Sequence, residues 1–78
     1  MSDIKLVDVT IHIDRDVSDK IRAQVKASLE GLADVVSVNM PEAKRHMIVV
    51  QYDSAKTTSG VILAAVREFA GHSEMIGL

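Results

Sequence analysis

The chain has no cysteine. That excludes a disulfide framework, a zinc knuckle and any thiolate metal site. It has no tryptophan, one tyrosine and one phenylalanine, so it offers no platform on which bases could stack. Neither charge sign dominates: 9 Lys and Arg face 11 Asp and Glu, a formal net charge of −2. Such a balance gives no electrostatic footprint for nucleic acid. No apolar run approaches the roughly 18 residues of a membrane span. The start, Met-Ser-Asp-Ile-Lys, has neither the apolar stretch of a signal peptide nor an Arg-rich transit pattern. The expectation is a soluble, cytoplasmic protein without membrane insertion. Gly31, Gly60, Gly71 and Gly77 are scattered, so no Gly-rich phosphate loop exists. No linker or low-complexity segment divides the 78 residues, and residues 1–78 read as one domain with a modest core.

Hydropathy patterning supplies the elements. From Lys5 to Ile13 the sequence alternates. Val7, Val9, Ile11 and Ile13 share one face, and Asp8, Thr10 and His12 the other, which predicts a half-buried strand. Ser18 suits a helix N-cap, with Asp19 in the first turn where negative charge favours the helix dipole. That helix runs to about Glu30, with Ile21, Val25, Leu29 and Leu32 as its apolar stripe. Gly31 stands where a left-handed C-terminal residue is expected. A second strand covers Val35 to Met40, with Val36, Val38 and Met40 alternating with Ser37 and Asn39. Pro41 to Arg45 is a polar turn. Met47 to Asp53 is a third strand with Ile48, Val50 and Tyr52 inward. Thr58 is the expected N-cap of a second helix that ends at Gly71, with Ile62, Ala65, Val66 and Phe69 at helical spacing. His72 to Leu78 is short and apolar enough for a final edge strand. The expected core is Ile11, Val25, Leu29, Val38, Val50, Ile62, Val66 and Phe69.

The order strand, helix, strand, strand, helix, strand predicts an α+β, ferredoxin-like βαββαβ sandwich. Its four-stranded antiparallel sheet has the order 4-1-3-2, with both helices on one face. The end of the first strand, the start of the first helix and the start of the fourth strand then meet. This places His12, the 14–18 loop and His72 in one neighbourhood. His46 is expected at the opposite end, as a surface residue. The architecture by itself assigns no activity, since it hosts many.

Several stretches carry a family resemblance. Leu29-Glu30-Gly31-Leu32 is similar to a Leu-x-Gly-Val helix close, and Val36-Ser37-Val38-Asn39-Met40 to a Val-x-Val-Asn-Leu strand. Val50-Gln51-Tyr52-Asp53 is similar to Val-x-Tyr-Asp, and Thr58 through Gly71 to a capped helix ending in Gly. In this order, over about residues 6 to 76, the chain resembles the heavy-metal-associated domain of copper chaperones and of the N-terminal modules of metal-pumping ATPases. Ala33-Asp34 is an insertion relative to that pattern. The resemblance implies the same fold and a metal-transport context. It also implies a Gly-Met-x-Cys-x-x-Cys motif, which falls on His12, Ile13, Asp14, Arg15, Asp16, Val17 and Ser18. Ile13 is a fair substitute for the buried Met. The two thiolate positions hold Arg15 and Ser18 instead. Soft Cu(I) wants soft sulfur, and a guanidinium stays charged where a cation would sit. The chain thus resembles a degenerate, cysteine-less member, with no cofactor expected. In that family the residue after the second-helix Gly packs near the metal loop; here it is His72.

Two functional readings follow, from different classes. In the first, the chain is a non-catalytic module acting by protein–protein contact. Asp14, Arg15, Asp16, Ser18 and His72 are its candidate partner-binding residues, because loops on a rigid scaffold carry recognition. Arg15 is expected to be held by Asp14, by Asp16 or by a partner's carboxylate. An unpaired sheet edge, with homodimerisation, is the alternative surface. In the second reading the chain carries a metal ion on non-thiolate ligands, with His12, Asp14, Asp16 and His72 as candidates. The plain alternatives are solvated histidines at a strand end and a solvated loop whose carboxylates neutralise Arg15. An enzyme is not expected. Nothing pushes the pKa values of Asp14 and Asp16 apart, Ser18 lacks an evident base, and Arg15 only faintly echoes the phosphate-cradling Arg of acyl-phosphate hydrolysis. Met1, Met40, Met47 and Met75 do not cluster by spacing, which argues against a thioether copper site.

Overall fold

The computed structural model describes residues 5–77. Strand β1 (Leu6–Ile13) is followed by helix α1 (Asp19–Glu30), β2 (Val35–Asn39), β3 (Met47–Asp53), α2 (Ser59–Ala70) and β4 (Ser73–Gly77). A 3-10 turn, Glu42–Lys44, joins β2 to β3. All pairings are antiparallel, in the order β2-β3-β1-β4. This is the expected 4-1-3-2 read from the other edge. Met1 and Leu78, which figure in the sequence expectations, lie outside the described residues.

Alternation in the strands and helical spacing in α1 and α2 converge on one core. Val9, Ile11 and Ile13 of β1 and Ile48, Val50 and Tyr52 of β3 meet Val25 and Leu29 of α1 and Ile62, Val66 and Ala70 of α2. Each Val, Leu and Ile side chain among them contributes about 1.5–3 kcal/mol when fully buried. Val38 and Phe69 were expected inside but are only half-buried, packed against this cluster. Val38 belongs to an edge strand and lacks a neighbour on one side.

Both helix starts follow the sequence. The Ser18 hydroxyl accepts from the Ile21 N–H at 3.2 Å, and Thr58 Oγ1 accepts from the Val61 N–H at 3.3 Å. The helix ends differ from each other. Gly71 has φ +79°, the left-handed region that favours glycine. Gly31 does not: its φ of −77° and ψ of −12° are right-handed, correcting the expected cap. Two successive turns, Leu32 N–H to Leu29 O and Val35 N–H to Leu32 O, unwind α1 gradually. The Ala33-Asp34 insertion gives them room. The phase of β2 also shifts. Val35 pairs with Tyr52 and Ser37 with Gln51, so Val36 is the extra residue of a bulge and lies 56% exposed rather than inward with Val38.

Candidate functional site

At one end of the sandwich the backbone draws four segments together. The Ile13 N–H donates to His46 O at 2.8 Å, and the Asp14 N–H donates to His72 O at 3.1 Å. The last residue of β1 is thereby tied to the entrance of β3, and the 14–18 loop to the entrance of β4. Register sets the side chains. His12 stands on the open face of the sheet between Met47 of β3 and Glu74 of β4. Glu74 is its direct cross-strand neighbour, close enough to interact.

The imidazoles and carboxylates of this end contact one another. Asp14 bridges two histidines, with Oδ2 2.9 Å from His72 Nδ1 and Oδ1 3.6 Å from His12 Nδ1. His72 Nε2 lies 4.0 Å from Glu74 Oε1. One ligand atom from each of Asp14, His72 and Glu74 falls within 4.8 Å of the others. The expected convergence of His12, the loop and His72 is therefore present. The expectation for His46 fails. It lies at this same end, with Nδ1 2.8 Å from Ile13 O, Nε2 2.8 Å from Asp16 Oδ1, and its ring stacked on His12 at 5.6 Å between centroids. The reason is antiparallel pairing, which sets the first residues of β3 beside the last of β1.

The remaining candidates divide. Asp16 is engaged by His46. The Ser18 hydroxyl is spent on the α1 cap. Arg15 is exposed and makes no ion pair with Asp14, Asp16 or any other described residue. Its guanidinium lies over Gly71 instead: a Cβ at Gly71 would meet Arg15 Nε and Nη2 at 3.6 Å.

A neighbouring corner contains arginines that the sequence reading passed over. Arg22 is buried and donates to Arg45 O at 2.6 Å and to Met40 O at 3.2 Å, pinning α1 to the β2–β3 turn. Its phase with Val25 and Leu29 on the helix was the available signal. Arg45 donates to Asp19 Oδ1 at 2.6 Å and to Glu42 Oε2 at 3.2 Å. The Arg45–Asp19 hydrogen bond and the attraction between the two charges hold the Asp19 carboxyl below its usual value and raise the Arg45 guanidinium above its own. Both groups are open to water, so the pair contributes little to stability. At α2, Arg67 donates twice to Ser73 O, at 3.0 and 2.7 Å.

No protein-family model and no curated protein matches the chain. Among solved structures it is similar to the crystal structure of oxidized MerP from Ralstonia metallidurans CH34. The TM-score is 0.80 at 19% identity, over 92% of this chain and 99% of that one. No helix among the described residues is long and apolar enough to cross a membrane. The chain thus has the ferredoxin-like fold seen in MerP, the fold that the heavy-metal-associated resemblance implied, and it has it without a cysteine.

Proposed function

We propose that this chain is a small, non-catalytic, cytoplasmic binding module that works by protein–protein contact through its 14–18 loop end. The observation that carries this reading is Arg15. Of the four arginines, Arg22, Arg45 and Arg67 are all tied to oxygens of the fold, whereas Arg15 pairs with none of the described carboxylates. Exposed arginine on a positioned loop is a favoured anchor at protein interfaces. Asp14 and Asp16 are turned to the histidines, which leaves the guanidinium to a carboxylate on a partner. A second reading, a cation held by non-thiolate ligands, is favoured by the Asp14, His72 and Glu74 group.

The contact reading is tested with Arg15→Glu. The partner is recovered by affinity capture from native cell extract and identified, and its association with both forms is followed at several salt concentrations. The charge reversal should slow association, most of all at low salt where screening is weakest. Equal association rates for the two forms at every salt concentration would remove Arg15 from the interface.

A further inference from the structure

We propose that His72, Asp14, Glu74 and His12 form a seat for one borderline divalent transition-metal cation, of the class of Zn(II) or Ni(II). This rests on and deepens the second reading above, a cation on non-thiolate ligands, and does not depend on whether Arg15 meets a protein.

The argument begins with donor chemistry. Two imidazoles and two carboxylates, without sulfur, suit a borderline ion rather than soft Cu(I). Geometry comes next. With metal–ligand bonds of about 2.0–2.2 Å, two donors on a tetrahedral ion stand about 3.3 Å apart. Asp14, His72 and Glu74 already lie within 4.8 Å of one another, so small rotations of exposed side chains close the set. The fourth donor follows from register, because His12 is paired directly with Glu74 across β1 and β4 and stands 3.6 Å from the second oxygen of Asp14. These donors are mounted on a fixed frame. Two sit within paired strands, and the Asp14 N–H bond to His72 O joins the other two.

Electrostatics points the same way. His72 has a carboxylate near each ring nitrogen, Asp14 at 2.9 Å and Glu74 at 4.0 Å. A cation among these oxygens offsets their mutual repulsion. Arg15 does not supply it, since its guanidinium lies over Gly71 and pairs with neither Asp14 nor Glu74. Asp16 and His46 stand outside the seat, paired with each other at 2.8 Å and not part of the Asp14, His72 and Glu74 group. The His46 ring, stacked on His12, steadies that imidazole instead.

The test is calorimetric titration of the full chain with Zn(II) alone, repeated for His72→Ala, Asp14→Asn and Asp16→Asn, with circular dichroism confirming that each variant is folded. One Zn(II) per chain is expected. Losing a direct ligand, in His72→Ala or Asp14→Asn, should weaken binding by more than the 10–100-fold typical of an outer partner, and Asp16→Asn should bind as the unaltered chain does. All three substituted positions are exposed, and Asp14→Asn preserves side-chain shape, so loss of binding in it is not loss of fold. Absence of Zn(II) binding, or binding indifferent to both ligand changes, overturns the site. Either outcome leaves the Arg15-dependent association rate to be judged on its own measurement.

Discussion

Two arginines seven residues apart behave in opposite ways. Arg22 is buried at the corner between α1 and the β2–β3 turn, where both arms of its guanidinium end on backbone carbonyls. Arg15 stands in the open on the 14–18 loop and pairs with no carboxylate among the described residues. Around Arg22 the neighbouring charges also satisfy one another, Arg45 holding Asp19 and Glu42. Around Arg15 the carboxylates turn instead to imidazoles. A groove of about 300 Å³ does border the corner, lined by Arg22, Lys26, Val38, Met40 and Glu42. Arg22 is already bonded within it, so its strongest donor is spent on the fold. The corner builds the domain, and the loop end is left with unspent chemistry.

Substitutions along α1 break or sharpen this contrast. Leu29→Ala sets the scale. Leu29 is fully buried, and its truncation should cost about 2–5 kcal/mol in chemical denaturation. Arg22→Met keeps the apolar stem but strips two hydrogen bonds from the Met40 and Arg45 carbonyls, and should cost about 2–3 kcal/mol. If it proved as stable as the unaltered chain, Arg22 would not be a structural pin.

Asp19 carries a pH signature. Its folded pKa is depressed below the usual carboxylate value by the Arg45 hydrogen bond and charge. The stability it contributes is therefore fully present above the unfolded value and lost as pH falls through the lower folded one. Comparing urea midpoints of Asp19→Asn and the unaltered chain should show a gap at neutral pH that closes in strong acid. A gap that widened in acid would reverse the sign and contradict the pairing. Arg15→Glu should have the smallest effect on folding, within about 0.5 kcal/mol, as for a surface change away from any bonded feature. A cost approaching that of Arg22→Met would show that Arg15 belongs to the fold after all.

The sequence revealed the fold wherever one residue's chemistry decided the outcome. Alternation located β1 and β3, and Ser18 and Thr58 announced the helix starts. It failed where backbone geometry had alternatives. The end of α1 closes through right-handed turns without using the freedom of Gly31, and the β2 bulge turns Val36 outward. The site was legible in part. His12, Asp14 and His72 were placed together by topology alone. His46 was set at the wrong end, although the antiparallel register that places it against Ile13 follows from the same topology. Glu74 was missed because its role depends on which residue of β4 faces His12, and strand boundaries do not fix that register. Arg22 was missed although it stands in phase with Val25 and Leu29, a position where buried arginine needs two carbonyls that only the folded turn supplies.

The central claim is that partner contact runs through the loop end and not through the corner. Photo-crosslinking tests it most directly, with a photoreactive residue placed at Asp16 of the 14–18 loop in one sample and at Lys26 of the corner groove in another. Both positions are exposed, and each sample is irradiated with the captured partner. The account predicts a covalent adduct to the partner from position 16 and none from position 26. An adduct from position 26, with none from position 16, would contradict it.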